Sequence, residues 1–166
     1  MIAWLLTLVV GCGYSLVGTG NYLPKEIRTV QIPGFENRTT RVELEQRVTQ
    51  AIANEMVSRS GLRIVSEEKS ADTILRGVIE SFGISPIDFN EQGRATRYQV
   101  TVNASISFLD HRNENAVIWE NRHYNFTESY AVDPNSLDTF DQETQAIQDI
   151  AERFAESVVS NLVEGF

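Results

Sequence analysis

A single thiol, a few arginines and two histidines are the side chains in this 166-residue sequence whose type and spacing could carry chemistry. Cys12 is the sole cysteine and closes the uncharged, almost wholly apolar segment MIAWLLTLVVG. A thiolate is the best alkylation nucleophile among side chains, so a cysteine in this position is suited to accept a lipid. Arg94 and Arg97 flank the stretch FNEQGRATR, with Arg112 and Arg122 on the next hairpin. The arginine fork matches phosphate geometry. The same residues also read as a solvated hairpin with salt bridges to Asp88 or Glu91. His111 in a charged turn and His123 on a strand lack metal-ligand spacing. No GxSxG, HExxH, P-loop or GxGxxG is present, and paired acids in a polar loop are usually just solvated. The sequence therefore predicts a non-enzymatic protein with no metal and no cofactor beyond a covalent lipid on Cys12.

The segment that delivers Cys12 is too short to span a bilayer, which needs about 20 residues. It fits the apolar region of a secretory signal peptide. Its basic leading region is missing, which places the expected translation start upstream of Met1. Val9-Val10-Gly11-Cys12, with an aliphatic residue at −3 and a small one at −1, resembles the lipobox of bacterial lipoproteins. That resemblance implies diacylglycerol on the thiol and cleavage just before it. Each buried CH₂ contributes about 0.8 kcal/mol, so two or three acyl chains anchor stably where one does not. Gly13 rather than Asp follows the cysteine, which by the same resemblance favours the outer membrane. Residues 1–11 are thus expected to be a signal peptide, 12–24 a lipid-anchored tether and 25–166 a single domain.

Net charge is −9, which makes the chain a poor nucleic-acid binder. The acid is unevenly placed. From Thr127 onward there are nine acids against one base, Arg153, whereas the chain up to Phe126 is close to neutral. An anionic ligand should meet the earlier part and avoid the C-terminal helix.

The elements follow from periodicity. Ile27–Pro33 reads as a short strand and Phe35–Thr39 as a loop. Thr40-Arg41-Val42-Glu43 reads as a capping box. Leu44, Val48, Ile52 and Met56 make one apolar face of a helix over about 41–59, stopped by Gly61. Leu62–Val65 is a short strand, and the strand-helix-strand order fits a parallel crossover. Thr73–Ile84 is a long strand in which Gly77 and Gly83 suggest bulges or bends. Ser85–Thr96 reads as a hairpin connection. Arg97–Leu109 alternates: Tyr98, Val100, Val102, Ala104, Ile106 and Phe108 on one face, Gln99, Thr101, Asn103, Ser105 and Ser107 on the other. Ala116–Phe126 is the next strand, Thr127–Leu137 a loop. A last helix runs over about 138–163, its early acids Asp138, Asp141 and Glu143 at the positive end of the dipole. The aromatic residues Tyr98, Trp119, Tyr124 and Phe126 suit either the core or an apolar groove. The order β-α-β-β-β-β-α predicts an α+β fold: two helices on one face of a mostly antiparallel sheet of four to five strands.

Cys12-Gly13-Tyr14-Ser15-Leu16, Leu44–Ser60 leading to Gly61-Leu62, Ile74–Ile79, and above all Gly93–Leu109 (GRATRYQVTVNASISFL) with the closing amphipathic helix together resemble the lipopolysaccharide-assembly lipoprotein family, LptE. The resemblance implies two helices against a small sheet and a lipid anchor on the periplasmic side of the outer membrane. It also implies a complex with the β-barrel LptD, in which the protein plugs the barrel and helps assemble it, together with binding of lipopolysaccharide. The neutral row Gln99, Thr101, Asn103, Ser105, Ser107 would face the barrel's polar lumen. In the family, basic residues at the hairpin before the YQ strand contact lipopolysaccharide. Here Glu91 falls near the expected base, and Arg94 and Arg97 are the candidates in its stead. A second basic position, before the last helix, has no counterpart, since Asp138–Gln142 is acidic or neutral. The alternative is another envelope lipoprotein adaptor, serving peptidoglycan synthesis or secretion.

Overall fold

A computed structural model describes residues 23–24, 26–134 and 139–164. The expectations for residues 1–22, Cys12 included, lie outside these residues. The elements are β1 (Thr29–Gln31), β2 (Glu36–Asn37), α1 (Leu44–Ser60), β3 (Arg63–Ile64), a 3-10 turn (Glu68–Ser70), β4 (Thr73–Phe89), β5 (Ala95–Asp110), β6 (Ala116–Ala131) and α2 (Thr139–Glu164).

The fold is α+β, as the periodicity predicts. One sheet carries the strands in the order β3-β1-β4-β5-β6, with β2 also pairing β4. The long strands β4, β5 and β6 are antiparallel neighbours. The short half of the sheet is parallel: β1 pairs both β3 and β4, and β2 pairs β4. The link from β1 through α1 to β3 is the expected parallel crossover.

Both helices bury their apolar stripes against one sheet face. Leu44, Val48, Ala51, Ile52 and Met56 of α1 meet Ile147, Ile150, Ala151, Phe154, Val158 and Leu162 of α2 over Leu75, Ile79, Val100, Val102, Ala104, Ile106 and Phe108. On β5 every even residue from Val100 to Phe108 is buried, and every odd one between them is half-buried. The period-two alternation is thus realised as one covered and one bare face.

Several local expectations are corrected. The capping box does not form. Helix α1 starts at Leu44, too late for the Thr40 hydroxyl to serve its first turn, and its N-cap residue Glu43 sits in the left-handed region at φ 64° with no side-chain cap. The turn is organised instead around Asn37. Its Oδ1 accepts from the Thr39 amide and hydroxyl at 2.9 and 2.7 Å, and the Thr39 hydroxyl accepts from the Arg41 amide at 3.1 Å. Residues 36–37, expected in a loop, form β2, which is too short to show a period.

The expected 85–96 connection is mostly strand, since β4 runs to Phe89 and β5 begins at Ala95. Pro86 is accommodated because the register shifts between Pro86 and Asp88. The true loop is 90–94, closed by Asn90, whose Oδ1 accepts from the Gln92 and Arg94 amides at 3.1 and 2.9 Å. Likewise β6 continues to Ala131 through residues expected to be a loop. Thr127 and Ser129 lie on the bare face, where polar residues conceal a strand pattern. No register shift falls at Gly77 or Gly83; the irregularity in that part of β4 lies between Ile79 and Ser81.

Candidate functional site

Strands β4, β5 and β6 have 16 or 17 residues each, against 17 in α1. A strand rises about 3.3 Å per residue and a helix 1.5 Å, so the three strands outrun α1. Near the β4–β5 hairpin the helix-side residues therefore lack full cover. Phe82 and Ile84 of β4, Tyr98 of β5 and Tyr130 of β6 are only partly buried there. They line an open cleft of about 600 Å³ together with Thr40, Arg41, Arg94, Ala95, Val132, Asp133, Pro134 and Glu143. Tyr98 and Tyr130 stack across adjacent strands with ring centroids 5.7 Å apart.

Two guanidinium groups reach this apolar floor. Arg94 leaves the hairpin loop and donates to the Pro134 carbonyl at 3.4 Å. Arg41 comes from the turn before α1, and its Nη2 donates to Glu143 Oε1 of α2 at 2.7 Å. A second hollow, lined by Val42, Glu43, Arg47, Thr144 and Ile147, shares Thr40, Arg41 and Glu143 with the first. The ion pair thus borders both. Burial raises the Tyr130 hydroxyl above its ordinary value, and the charge of Glu143 and the neighbouring Tyr98 add to this while Arg41 opposes it. Apolar rings beside two arginines suit an amphiphile with anionic groups on its head.

The structure separates the two arginines that the sequence pairs. Arg94 lines the cleft. Arg97 registers with Asp88 across the hairpin and pairs with its carboxylate at 3.3 Å, on the same face as Gln99. Arg112 and Arg122 are held by Asp110 and Glu120 at 3.0 and 2.9 Å on their own hairpin. The aromatic set also divides. Tyr124 and Phe126 meet Phe154 of α2 edge-on at 5.7 and 5.6 Å and belong to the packing, whereas Tyr98 belongs to the cleft. His111 bonds Asn115 at 3.0 Å. Among the described residues no three His, Cys, Asp or Glu side chains group as a metal site.

Arg41 and Tyr130 are cleft residues that sequence reading does not single out, and Glu143, expected only to complement the helix dipole, is a third. Arg41 falls inside the misread capping box and Tyr130 inside the misread loop. The alternation of β6, followed past Phe126, is the signal that would place Tyr130 on the covered face with Tyr124 and Phe126.

The bare face of the sheet is the second feature. Gln99, Thr101, Asn103, Ser105 and Ser107 all lie on it, half-buried. Asn103 Nδ2 donates to Ser81 Oγ and Asn125 Nδ2 donates to Asn103 Oδ1, each at 2.7 Å, making a hydrogen-bonded rung across β4, β5 and β6. Adjacent rungs are Gly83, Thr101, Thr127 and Ser85, Gln99, Ser129. These three rungs carry no charge. Ser105 stands opposite Val78, and Ser107 stands between Arg76 and Glu120, where charge begins.

Comparison with known proteins supplies the context for these two surfaces. The family described as "LptE: Lipopolysaccharide-assembly" matches residues 27–162. Among solved structures, the chain is similar to an uncharacterized lipoprotein B from Nitrosomonas europaea at 14% identity and TM-score 0.60, over 91% of this chain and 90% of that one. It is similar to the rare lipoprotein B from Shewanella oneidensis at 12% identity and TM-score 0.51, over 81% and 95%. It is also similar to the hypothetical protein CT253 from Chlamydia trachomatis at 13% identity and TM-score 0.54, over 82% and 98%. At these identities the likeness is one of fold. No curated protein matches the chain.

Proposed function

The chain belongs to the LptE lipopolysaccharide-assembly family, and from that premise we propose that it is the non-catalytic lipoprotein subunit of an outer-membrane lipopolysaccharide translocon. In this reading a lipid on Cys12 holds the chain to the periplasmic side of the outer membrane. The domain plugs an LptD-type β-barrel, helps assemble it, and aids delivery of lipopolysaccharide to the cell surface. The observation that carries the plug is the uncharged, hydrogen-bonded sheet face centred on Ser81, Asn103 and Asn125. A barrel lumen is polar, and a neutral face of hydroxyls and amides can dock there without burying unpaired charge. The cleft supports the lipid-handling part. Arg94 and Arg41 offer donors to phosphate while Phe82, Ile84, Tyr98 and Tyr130 offer apolar surface to acyl chains. Helix α2 presents Asp149, Glu152 and Glu156 around Arg153 on its surface, so the anionic ligand is steered away from it.

Affinity purification of the tagged protein from detergent-solubilised outer membranes tests this reading. The expected result is one large β-barrel in near one-to-one yield that survives high salt. Recovery of peptidoglycan-synthesis enzymes or secretion components, or of no barrel, would overturn the translocon assignment.

A further inference from the structure

The two arginines of the cleft are not equivalent. Arg94 donates to a neutral carbonyl, that of Pro134, at 3.4 Å. Arg41 is held by a carboxylate, that of Glu143, at 2.7 Å, and this pair lies on the border between the two adjoining hollows. Both members are partly open to solvent, at 37% and 40% of full side-chain exposure. A pair so placed is worth little to stability, because water screens it. It is nonetheless well placed to act on binding. The Glu143 carboxylate occupies the Arg41 Nη2 donor that a phosphate entering the cleft would use.

We propose that Glu143 is an intramolecular competitor for the cleft: a phosphorylated amphiphile engages Arg94 and then takes Arg41 by displacing the Glu143 carboxylate. This rests on reading the cleft as the lipopolysaccharide site and adds to it a built-in restraint on affinity. The exchange is one of partners on Arg41, in which the guanidinium keeps its charge and a phosphate oxygen replaces a carboxylate oxygen as acceptor. A transfer subunit gains from such a restraint, since a ligand that must be released is better held by a contested cation than by a free one.

The test is calorimetric titration of the full chain with dispersed bis-phosphorylated lipid A and with its dephosphorylated form. Glu143→Gln is expected to bind the phosphorylated form about two- to fivefold more tightly than the wild type, the reach of one half-exposed ion pair. Glu156→Gln on the same helix removes the same charge away from the cleft and should leave affinity unchanged. In an Arg41→Gln background, Glu143→Gln should have no effect, because the competitor then has nothing to contest. The dephosphorylated form should not respond to Glu143→Gln. Tightening that persists without Arg41, or that Glu156→Gln reproduces, would show a diffuse charge effect and overturn the proposal, as would unchanged affinity in Glu143→Gln. If the wild type binds no lipid A and Glu143→Gln binds none either, the cleft reading itself falls. Thermal unfolding of each variant separates loss of binding from loss of fold.

Discussion

The Phe35 ring fills the space beside Gly77 that the Cβ of any larger residue would need. Phe35 is buried and follows β1, whereas Gly77 is in β4, so this contact fixes the turn between β1 and β2 against the sheet. Neither backbone nor ring has room to retreat in a packed core. Gly77→Ala is expected to destabilise the protein by about 1–3 kcal/mol through overpacking. For a chain of this size that lowers Tm by about 3–10 °C, measurable by circular dichroism. An unchanged Tm would mean that the Phe35 ring can shift.

Asp72 provides the pH-dependent tie between β1 and β4. Its Oδ2 accepts from the Arg28 and Thr29 amides, both at 2.9 Å. Burial works to raise its carboxyl, but these amides, the Thr29 hydroxyl and the charge of Arg112 outweigh it and hold it below its ordinary 3.8. A depressed folded value stabilises fully above the ordinary value, and the contribution is lost as pH falls through the depressed one. Asp72→Asn should therefore cost about 1–3 kcal/mol near neutral pH. The gap from wild type should close well below the ordinary value, as read by denaturant unfolding at both pH values. A gap that stayed constant with pH would assign the effect to packing instead.

Arg94 and Arg97 lie three residues apart but face different surroundings. Arg94 lines the cleft, while Arg97 pairs with Asp88. Arg94→Glu is expected to weaken lipid A binding about tenfold or more, because it removes a charge-assisted donor and adds a repulsive charge. Arg97→Glu should change binding about twofold or less, in keeping with an exposed pair outside the cleft. Equal losses in the two variants, read by the same titration, would place the ligand across the hairpin tip rather than in the cleft.

Thr101 stands mid-face, between Gly83 and Thr127. If this face meets a barrel lumen, Thr101→Glu buries an unpaired carboxylate at the interface. The cost is several kcal/mol, on the order of a hundredfold in affinity. The barrel should then be lost from the purification while Tm of the isolated chain changes by about 2 °C or less, as for a surface substitution. Retention of the barrel at full yield would point to another face.

Lipidation is checked independently. Under the proposed anchoring, Cys12→Ser should abolish incorporation of labelled palmitate and release the protein from membranes, since it removes the proposed acceptor thiol. Label that persists in this variant would remove the anchor assignment.

The sequence by itself determined the elements that carry a strong local period. The helix stripes from Leu44 to Met56 and from Ile147 to Leu162, and the alternation of β5, follow directly from burying one face. It also determined which residues form the neutral face, because a period of two assigns sides as soon as one side is buried. Tertiary structure alone decided what has no local period. The two-residue strand β2, unlike β3 in the expected Leu62–Val65 strand, is visible only once β4 offers it a parallel edge. The ends of β4 and β6 were concealed because Ser85, Thr127 and Ser129 are polar residues on a bare face, where polarity is compatible with a strand. The cleft was decided in the same way. Arg41 and Glu143 are 102 residues apart and meet only where the starts of the two helices come together. Arg94 and Arg97, close in sequence, are parted because Arg94 lies in the loop and reaches Pro134, whereas Arg97 lies on β5, on the face that Gln99 shares.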